Sequence, residues 1–251
     1  MNGEGSMKVG VLGAGVMGAG IAQVTATAGY ETVCYDVDAD ALTRGEEHVT
    51  TGRYGFERGV ERGKLTREDA DAARARLSFT ASFEEAANVD VVIEAVPEKL
   101  ELKQQVFRDL DAAAPAGTIL ASNTSGFPIG QIAAATKRPE LVIGWHWASP
   151  PAVMRLAEIV RGPDTSDATA AAIVELATAC GKNPVVISDS PDGTWGFVAN
   201  RVYMAMIKEA NACIDEGIAT REQVDALMVD CFRWPVGPFG MVQGASSGWG
   251  Q

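Results

Sequence analysis

The sequence has 251 residues and a formal net charge of -12, and 47% of its residues are hydrophobic. This length fits one large domain or two smaller ones with a proper core. The acidic balance argues against nucleic acid and anionic membrane surfaces as partners, and no apolar run approaches the roughly 18 residues of a membrane span. Residues 1–6 are expected to form a flexible leader that lacks the basic and apolar regions of a secretion signal.

The first predicted elements are a strand, a glycine-rich turn and a helix. Gly13, Gly15 and Gly18 have the spacing G-x-G-x-x-G. The first glycine permits a tight turn, the second lets the backbone approach a pyrophosphate, and the third lets the helix pack on the strand. Because the N–H groups that begin the helix face the anion, Val16 and Met17 join the glycines as predicted cofactor contacts. The alternative is a glycine-rich turn that binds nothing.

An acidic residue after the second strand indicates which dinucleotide binds. This strand is predicted over residues 31–35, and Asp36 follows it. A carboxylate here accepts hydrogen bonds from both adenosine ribose hydroxyls and repels a 2'-phosphate. Val37 and Asp38 come next, so no arginine follows directly to pair with such a phosphate. The sequence therefore predicts NAD rather than NADP as the cofactor.

The segment 40–76 carries no strand-like run and is predicted to form a helical hairpin. A turn near Arg62 and Gly63 separates its two helices, and Thr66 with Asp69 resembles a capping box for the second helix. Positive charge is concentrated here, either to meet a phosphorylated substrate or as a solvated helix face. The basic residues are Arg53, Arg58, Arg62, Lys64 and Arg67.

Strands and helices then alternate in the manner of a doubly wound parallel sheet. The expected fold is a Rossmann sheet with the hairpin as an insertion, forming an NAD-binding domain over residues 7–189. Further strands are predicted over residues 89–96, 118–121, 142–147, 157–160 and 184–188, and helices over residues 100–113 and 166–180.

The character of the sequence changes at residue 190, where a turn-rich stretch begins. Helices are predicted over residues 197–216 and 220–229, the second with Thr220 and Gln223 as a capping box. Residues 190–251 are expected to form a small, shortened all-helical domain that serves substrate binding and dimerisation.

The cysteines show no C-x-x-C spacing and fall within predicted strands or helices. They are therefore expected to be reduced packing residues of a cytoplasmic protein, and neither a metal site nor a disulfide is predicted. The four are Cys34, Cys180, Cys213 and Cys231.

A nicotinamide enzyme that oxidises an alcohol needs a base for the hydroxyl proton, and histidine is the usual one near neutral pH. Of the two histidines, His48 lies in the predicted hairpin and is expected to be a surface or packing residue. His146 ends a predicted strand, at the edge where open parallel sheets bind ligands. Glu158 lies inside the next strand, where a charge is costly unless it is paired. Either Glu158 accepts a hydrogen bond from His146, or the two are a satisfied core histidine and an edge-strand glutamate.

Several blocks of the sequence together resemble the L-3-hydroxyacyl-CoA dehydrogenase family. They include GAGVMGAGIAQV, VVIEAVPEKLELKQQVFRDLD, ASNTSGFPI, the G-x-H-x-x-x-P-x-x-V-M-x-L-x-E-I-V run and GFVANR, and they extend from Lys8 to about Phe239. The resemblance implies an NAD-dependent dehydrogenase that interconverts a short-chain L-3-hydroxyacyl thioester and its 3-oxo form. It further implies a homodimer of fatty acid metabolism whose helical hairpin helps to hold coenzyme A.

The family's motifs assign roles to particular positions. His146 and Glu158 match the catalytic pair, while Ser125 and Asn200 are expected near the substrate's 3-oxygen and thioester carbonyl. Each has a structural alternative, since Ser125 suits a turn and Asn200 suits a helix start. Glu98 and Lys103 similarly suit a solvated helix face. The cofactor contacts carried over in this way are Asp36, Glu98, Lys103 and Asn123.

Three features depart from the family pattern. Residues 147–150 are W-A-S-P in place of F-F-N-P, the turn at residues 192–195 is altered, and the sequence ends before the last helices of the family's carboxyl-terminal domain. With the bulk of Trp145 and Trp147, these features leave the acyl-chain length and the carrier open. The alternatives are a carrier-protein-bound hydroxyacyl group, a free hydroxy acid such as carnitine or gulonate, and a non-catalytic NAD-binding sensor or crystallin-like protein. A lysine base, as in the 2-methyl-3-hydroxy acid dehydrogenases, would fall on Lys208 but lacks that family's context.

Overall fold

The computed structural model describes residues 7–190 and 193–249, with the backbone alone over residues 244–249. The leader predicted at residues 1–6 and the start of the altered turn at Asp192 lie outside the described residues. The chain divides into two compact units, of which the first ends at Trp195 and the second begins at Gly196.

The first unit is built on a single sheet. Its strands are β1 Lys8–Leu12, β2 Glu31–Tyr35, β3 Leu77–Thr80, β4 Val91–Glu94, β5 Ile119–Ser122, β6 Val142–Trp147, β7 Leu156–Arg161 and β8 Asn183–Ser188. Their order across the sheet is β3-β2-β1-β4-β5-β6-β7-β8. All neighbouring pairs are parallel except β6 and β7, which are antiparallel.

Helices cover this sheet and make up the second unit. In the first unit they are α1 Val16–Thr27, α2 Ala39–Thr50, α3 Phe56–Glu61, α4 Arg67–Ala75, α5 Phe83–Ala87, α6 Leu100–Ala113, α7 Ile129–Ala133 and α8 Asp167–Ala179. The second unit contains α9 Val198–Asp215, α10 Arg221–Phe232 and α11 Pro238–Trp249. The described residues of the second unit are therefore helical, as the sequence predicted.

The doubly wound sheet is confirmed, but its last two strands run against the other six. The short strand β3 and the short helices α5 and α7 were not predicted. The hairpin insertion contains three helices rather than two, although the predicted turn at residues 62–63 separates α3 from α4. Residues 238–249 form α11 where only a stretch rich in glycine and proline was expected.

The capping predictions differ in outcome at the two helices. At α10 both bonds of the box are present, since Thr220 accepts from the Gln223 N–H and Gln223 accepts from the Thr220 N–H. At α4 the Thr66 hydroxyl accepts from the Asp69 N–H, but that hydroxyl also donates to the Asp69 carboxylate. The second bond of a capping box is therefore replaced by a side-chain contact.

The sheet brings the candidate residues to one edge. Strands β1 to β6 are parallel, so the segments that follow β1, β2, β4 and β5 leave the sheet on the same side, and β6 ends there at Trp147. Because β7 is antiparallel to β6, it begins at this edge. The main core cluster packs α1 and α8 against the sheet and includes Ile21, Ile173 and Trp145.

Candidate active site

The glycine turn after β1 is shaped by contacts that exclude larger side chains. Gly13 has a φ of +101°, and a Cβ there would lie 2.7 Å from the Ala95 carbonyl oxygen. A Cβ on Gly18 would lie 1.7 Å from the Gly13 carbonyl oxygen. Gly15 differs, because nothing lies within 4 Å of its Cβ position. Gly13 and Gly18 therefore serve the close packing of the turn, while Gly15 leaves open space beside it.

The amino terminus of α1 fits an anion. Gly15 is its N-cap, and no side chain caps the helix. Val16 is exposed and Met17 half-buried at the first two helical positions. Since the first N–H groups of a helix need acceptors, this end suits a pyrophosphate.

Asp36 lies beside this turn. Its Oδ2 accepts a hydrogen bond from the Ala14 N–H at 2.8 Å, and its Oδ1 accepts one from the Asp38 N–H at 3.0 Å. The carboxylate is thereby fixed at the end of β2, next to the helix that would hold the phosphates. The glycine turn, the open helix end and this acid together fit the adenosine half of NAD.

His146 and Glu158 are directly opposite each other in the antiparallel pairing of β6 with β7. The His146 Nδ1 lies 2.7 Å from the Glu158 Oε2, and only 7% and 4% of the two residues' surfaces are exposed. A carboxylate accepts, so the Nδ1 of a neutral His146 carries the proton. The predicted pairing of Glu158 with His146 is therefore present in the structure.

The segment after β5 is bound to its neighbours on both sides. The Asn123 Oδ1 accepts from the Trp147 N–H at 2.9 Å, next to His146, and the Asn123 N–H donates to the Glu94 carbonyl at 2.8 Å. The Ser125 N–H donates to the Glu98 Oε1 at 2.9 Å. Asn123, Ser125 and Glu98 thus belong to one connected group at the edge where His146 lies.

Lys103 is placed differently from what its predicted role as a cofactor contact suggests. It is 1% exposed, and its Nζ lies 2.7 Å from the Glu94 Oε1 and 3.1 Å from the Glu98 Oε2. Burial raises the pKa of Glu94, while Lys103, the Ser122 hydroxyl and a backbone N–H favour its charged form. A direct contact of Lys103 with the cofactor stays a prediction.

Sequence reasoning missed Glu94, Ser122 and Thr124, which are fully buried polar residues of this group. The signal was present, because Glu94 interrupts the apolar run V-V-I-E-A-V as Glu158 interrupts its own strand. The argument that a buried charge needs a partner was applied to one strand and applies equally to the other.

Four other residues considered from sequence lie elsewhere. Asn200 lies near the start of α9 in the second unit. Trp145 and Trp147 are 0% and 2% exposed and belong to the main core cluster, so their bulk gives no evidence on acyl-chain length. Their indole nitrogens have no hydrogen-bond partner among the described residues. His48 is half-buried in α2, which lowers its pKa.

The basic segment of the hairpin borders a cavity of about 650 Å³. Arg67 makes a bidentate pair with Glu57, and Arg58 pairs with Glu61 at 2.6 Å. No acidic side chain lines the cavity among the described residues. The cations that line it are Arg53, Arg58, Arg62 and Lys64 of the hairpin, with Arg155 and Lys182, which the sequence did not single out.

The remaining features of the described residues concern metal ligands, thiols and membrane spans. No group of three or more histidine, cysteine or acidic residues in these ranges is arranged to hold a metal ion. All four cysteines have free thiols, and Cys34 and Cys180 are buried. Among the helices described, none is long and apolar enough to cross a membrane.

A helix end that fits a pyrophosphate and a buried histidine–glutamate pair at the same sheet edge define a nicotinamide-dependent dehydrogenase. Family models agree with this class. The NAD-binding domain of 3-hydroxyacyl-CoA dehydrogenase matches residues 8–190, and the carboxyl-terminal domain of the same enzyme matches residues 196–251. The chain belongs to the 3-hydroxyacyl-CoA dehydrogenase family, and NAD is its cofactor.

Individual relatives are similar over most of their length. A probable 3-hydroxybutyryl-CoA dehydrogenase of Bacillus subtilis is 42% identical over 231 residues, which are 92% of this chain and 78% of that protein. The 3-hydroxybutyryl-CoA dehydrogenase of Bradyrhizobium diazoefficiens is 39% identical over 92% of this chain and 76% of its own. The crystal structure of (S)-3-hydroxybutyryl-CoA dehydrogenase from Ralstonia eutropha matches with a TM-score of 0.87 and 37% identity, covering 93% of this chain and 80% of that one.

Proposed function

We propose that the protein interconverts a short-chain L-3-hydroxyacyl-CoA and the corresponding 3-oxoacyl-CoA, with NAD as the hydride carrier, in the cytoplasm. The observation that carries this proposal is the pair His146–Glu158, joined at 2.7 Å at the sheet edge that also bears the glycine turn. The names of the relatives favour a four-carbon acyl group, since several are 3-hydroxybutyryl-CoA dehydrogenases.

When bound, NAD would supply the hydride acceptor for C3 of the hydroxyacyl group. His146 takes the hydroxyl proton on Nε2 as the carbonyl forms, and in the reverse direction it returns that proton. Glu158 accepts the hydrogen bond of Nδ1, holds the ring in one orientation and stabilises the imidazolium. Ser125 acts as a donor to the 3-oxygen, whose negative charge grows during reduction.

The cofactor is held by residues that the glycine turn and the neighbouring strands present. Gly13, Gly15 and Gly18 with Val16 and Met17 receive the pyrophosphate, and Asp36 binds the adenosine ribose. Glu98, Lys103 and Asn123 complete the predicted cofactor contacts. Asp36 gives the preference for NAD over NADP, because a 2'-phosphate would meet its carboxylate.

Coenzyme A is the carrier that the charge distribution favours. The cavity beside the hairpin is lined by six basic side chains of an acidic protein, of which Lys182 already donates to the Pro151 and Met154 carbonyls. Phosphate groups fit such a lining, and long-range attraction raises the local concentration of anionic substrates. An acyl group on a carrier protein, or a free hydroxy acid, would place fewer phosphate groups against this lining.

A homodimer is the assembly we propose. The helices of the second unit expose several large apolar side chains, which pairing with another copy of the chain would cover. The exposed residues are Val198, Val202, Met204, Leu227 and Phe232.

The test is the oxidation of NADH by the purified protein with acetoacetyl-CoA, beside NADPH and beside the variant His146→Ala. We expect consumption of NADH but little of NADPH, and a loss of at least about a hundredfold in turnover for the variant with NADH binding retained. Normal turnover in the variant would remove the proposed base. No turnover in the unchanged protein, with NADH still bound, would favour a carrier-bound or free hydroxy acid, and then a non-catalytic module.

A further inference from the structure

A closed ring of polar groups, buried except for the exposed Glu98, lies under the segment that carries Ser125. It starts at Glu94, the last residue of β4, which is 0% exposed. Its Oε2 accepts from the Ser122 hydroxyl at 2.6 Å. Its Oε1 accepts from the Lys103 Nζ at 2.7 Å and from the Val96 N–H at 2.8 Å. Glu94 therefore binds β5, α6 and its own following loop at once.

Lys103 lies between Glu94 and Glu98 and contacts both carboxylates. Its ammonium has three donors, and three acceptors surround it: the Glu94 carboxylate, the Glu98 carboxylate at 3.1 Å and the Val96 carbonyl at 3.3 Å. At 1% exposure the group has its donors used within the protein. Its chemistry is that of a positioning group between two acids.

Glu98 closes the ring at the functional segment. Its Oε1 accepts from the Thr124 hydroxyl and from the Ser125 N–H at 2.9 Å. The Thr124 hydroxyl in turn accepts from the Phe127 N–H, and the Thr124 N–H donates to the Ser122 hydroxyl oxygen at 3.2 Å. The backbone at Thr124 and Ser125 is thus fixed from both ends of the ring.

We propose that Glu94 is a positioning residue which, through Lys103, holds Glu98 against Thr124 and Ser125 and so sets the position of the Ser125 side chain. The proposal rests on the proposed function, because Ser125 affects turnover only if it contacts the substrate. Its physical basis is charge balance. Without the charge on Glu94, Glu98 is the one carboxylate among the described residues within 4 Å of the Lys103 Nζ, and it is drawn away from Thr124 and the Ser125 N–H.

The first experiment compares Glu94→Gln with Thr118→Val. Thr118 is as deeply buried, at 1%, and its hydroxyl donates at 2.6 Å to the Val89 carbonyl at the opposite end of the same strand pair. Both variants lose buried hydrogen bonding, and both should lower the melting temperature. For Glu94→Gln we expect kcat with acetoacetyl-CoA to fall at least tenfold. For Thr118→Val we expect kcat within twofold of the unchanged protein.

Two further readouts separate positioning from general loss of structure. Ser122→Ala removes one bond of the ring and serves if Glu94→Gln does not fold; its kcat should fall at least threefold. Glu94→Gln should also raise the primary isotope effect measured with NADH deuterated at C4, since misplaced donors slow the hydride step. In Glu94→Gln with Lys103→Met, both buried charges are gone, and kcat should fall less than the product of the two single losses.

The proposal is overturned if Glu94→Gln and Ser122→Ala lower the melting temperature but keep kcat within twofold, as Thr118→Val does. Strictly multiplicative losses in the double variant would also overturn it, because they would mean that Glu94 does not act through Lys103. An unchanged protein that does not oxidise NADH would instead contradict the proposed function. The two failures are therefore distinguishable.

Discussion

In the proposed mechanism, Glu158 determines which nitrogen of His146 exchanges a proton. Its Oε2 lies 2.7 Å from Nδ1, and both residues are buried. A neutral amide of the same size would keep the packing but would neither stabilise the imidazolium nor select one tautomer.

We therefore expect Glu158→Gln to lower kcat by about two to four powers of ten, with NADH binding unchanged. Steady-state kinetics and an NADH titration measure the two effects. Glu31→Gln is the matched control, because Glu31 is an exposed residue at the start of β2. Equal turnover in the two variants would exclude the role of Glu158.

Cysteine reactivity also follows from individual environments. Burial raises the pKa of Cys34 to about 12 and that of Cys180 to about 12. At pH 8 such thiols are about 0.01% thiolate, the form that reacts with alkylating agents. Cys231 is exposed.

The expected result is rapid modification of Cys231 by iodoacetamide at pH 8, while Cys34 and Cys180 are modified only after denaturation. Peptide mass spectrometry after timed quenching measures this order. Early modification of Cys34 in the folded protein would contradict the burial of β2.

The residue scale also shows where sequence reasoning succeeded and where it stopped. The bond between His146 and Glu158 was predictable, because a charge inside an apolar strand demands a partner and few partners were available. The same demand at Glu94 was overlooked, since its partner Lys103 was assigned to a solvated face or to the cofactor. Which of several polar residues meet depends on strand register and helix rotation, and neither follows from spacing alone.

At the scale of the elements, two glycines of the turn between β1 and α1 have different surroundings. A Cβ on Gly18 would collide with the Gly13 carbonyl oxygen, whereas a Cβ on Gly15 would meet nothing within 4 Å. The two glycines therefore serve different needs, although they belong to one motif.

We expect Gly18→Ala to lower the melting temperature strongly, because backbone has to move to admit the methyl group. Gly15→Ala should leave the melting temperature nearly unchanged and weaken NADH binding at least tenfold, because its methyl group occupies the path of the pyrophosphate. Thermal unfolding with an NADH titration measures both. Tight NADH binding by Gly15→Ala would mean that the phosphates lie elsewhere.

Elements with a clear apolar pattern were predicted better than those without one. Helix α6 and strand β6 were predicted with their observed bounds because their apolar pattern is sustained, and the five-residue β2 was predicted because it is an apolar stretch that ends at the acidic Asp36. Strand β3 and helices α5 and α7 have four or five residues each, too few to show a period. Their structure depends on neighbours that the local sequence does not specify.

At the scale of the whole molecule, the net charge of the protein is negative, whereas the charged side chains that line the cavity beside the hairpin are positive. The protein carries a net charge of -12, yet six cations line the cavity beside the hairpin. An anionic substrate is repelled by the molecule as a whole and attracted locally. Salt shortens the range of both effects, from about 10 Å at 0.1 M to about 3 Å at 1 M.

If this cavity holds the phosphates of coenzyme A, the KM for acetoacetyl-CoA should rise severalfold when salt is raised, with kcat little changed. The control substrate is the pantetheine thioester of acetoacetate, which lacks the nucleotide and should show no such rise. Arg62→Gln should reduce the salt dependence for the coenzyme A substrate. An equal response of both substrates to salt would contradict the assignment.

The doubly wound sheet and the helical second unit were predictable at this scale from the alternation of strands and helices and from the change in composition near residue 190. The reversal of β7 and β8 was not, because a connection of eight residues between β6 and β7 has no composition that marks the direction of the next strand. Pairing direction is settled by the sheet as a whole.

The reversal of β7 affects which sequence changes such an enzyme can tolerate. His146 and Glu158 lie on adjacent strands of one antiparallel ladder, so backbone hydrogen bonds and not the loop over residues 148–155 fix their separation. Insertions, deletions and substitutions in that loop therefore leave this pair as the ladder sets it. The departures from the family pattern at residues 148 and 149 are changes of this kind.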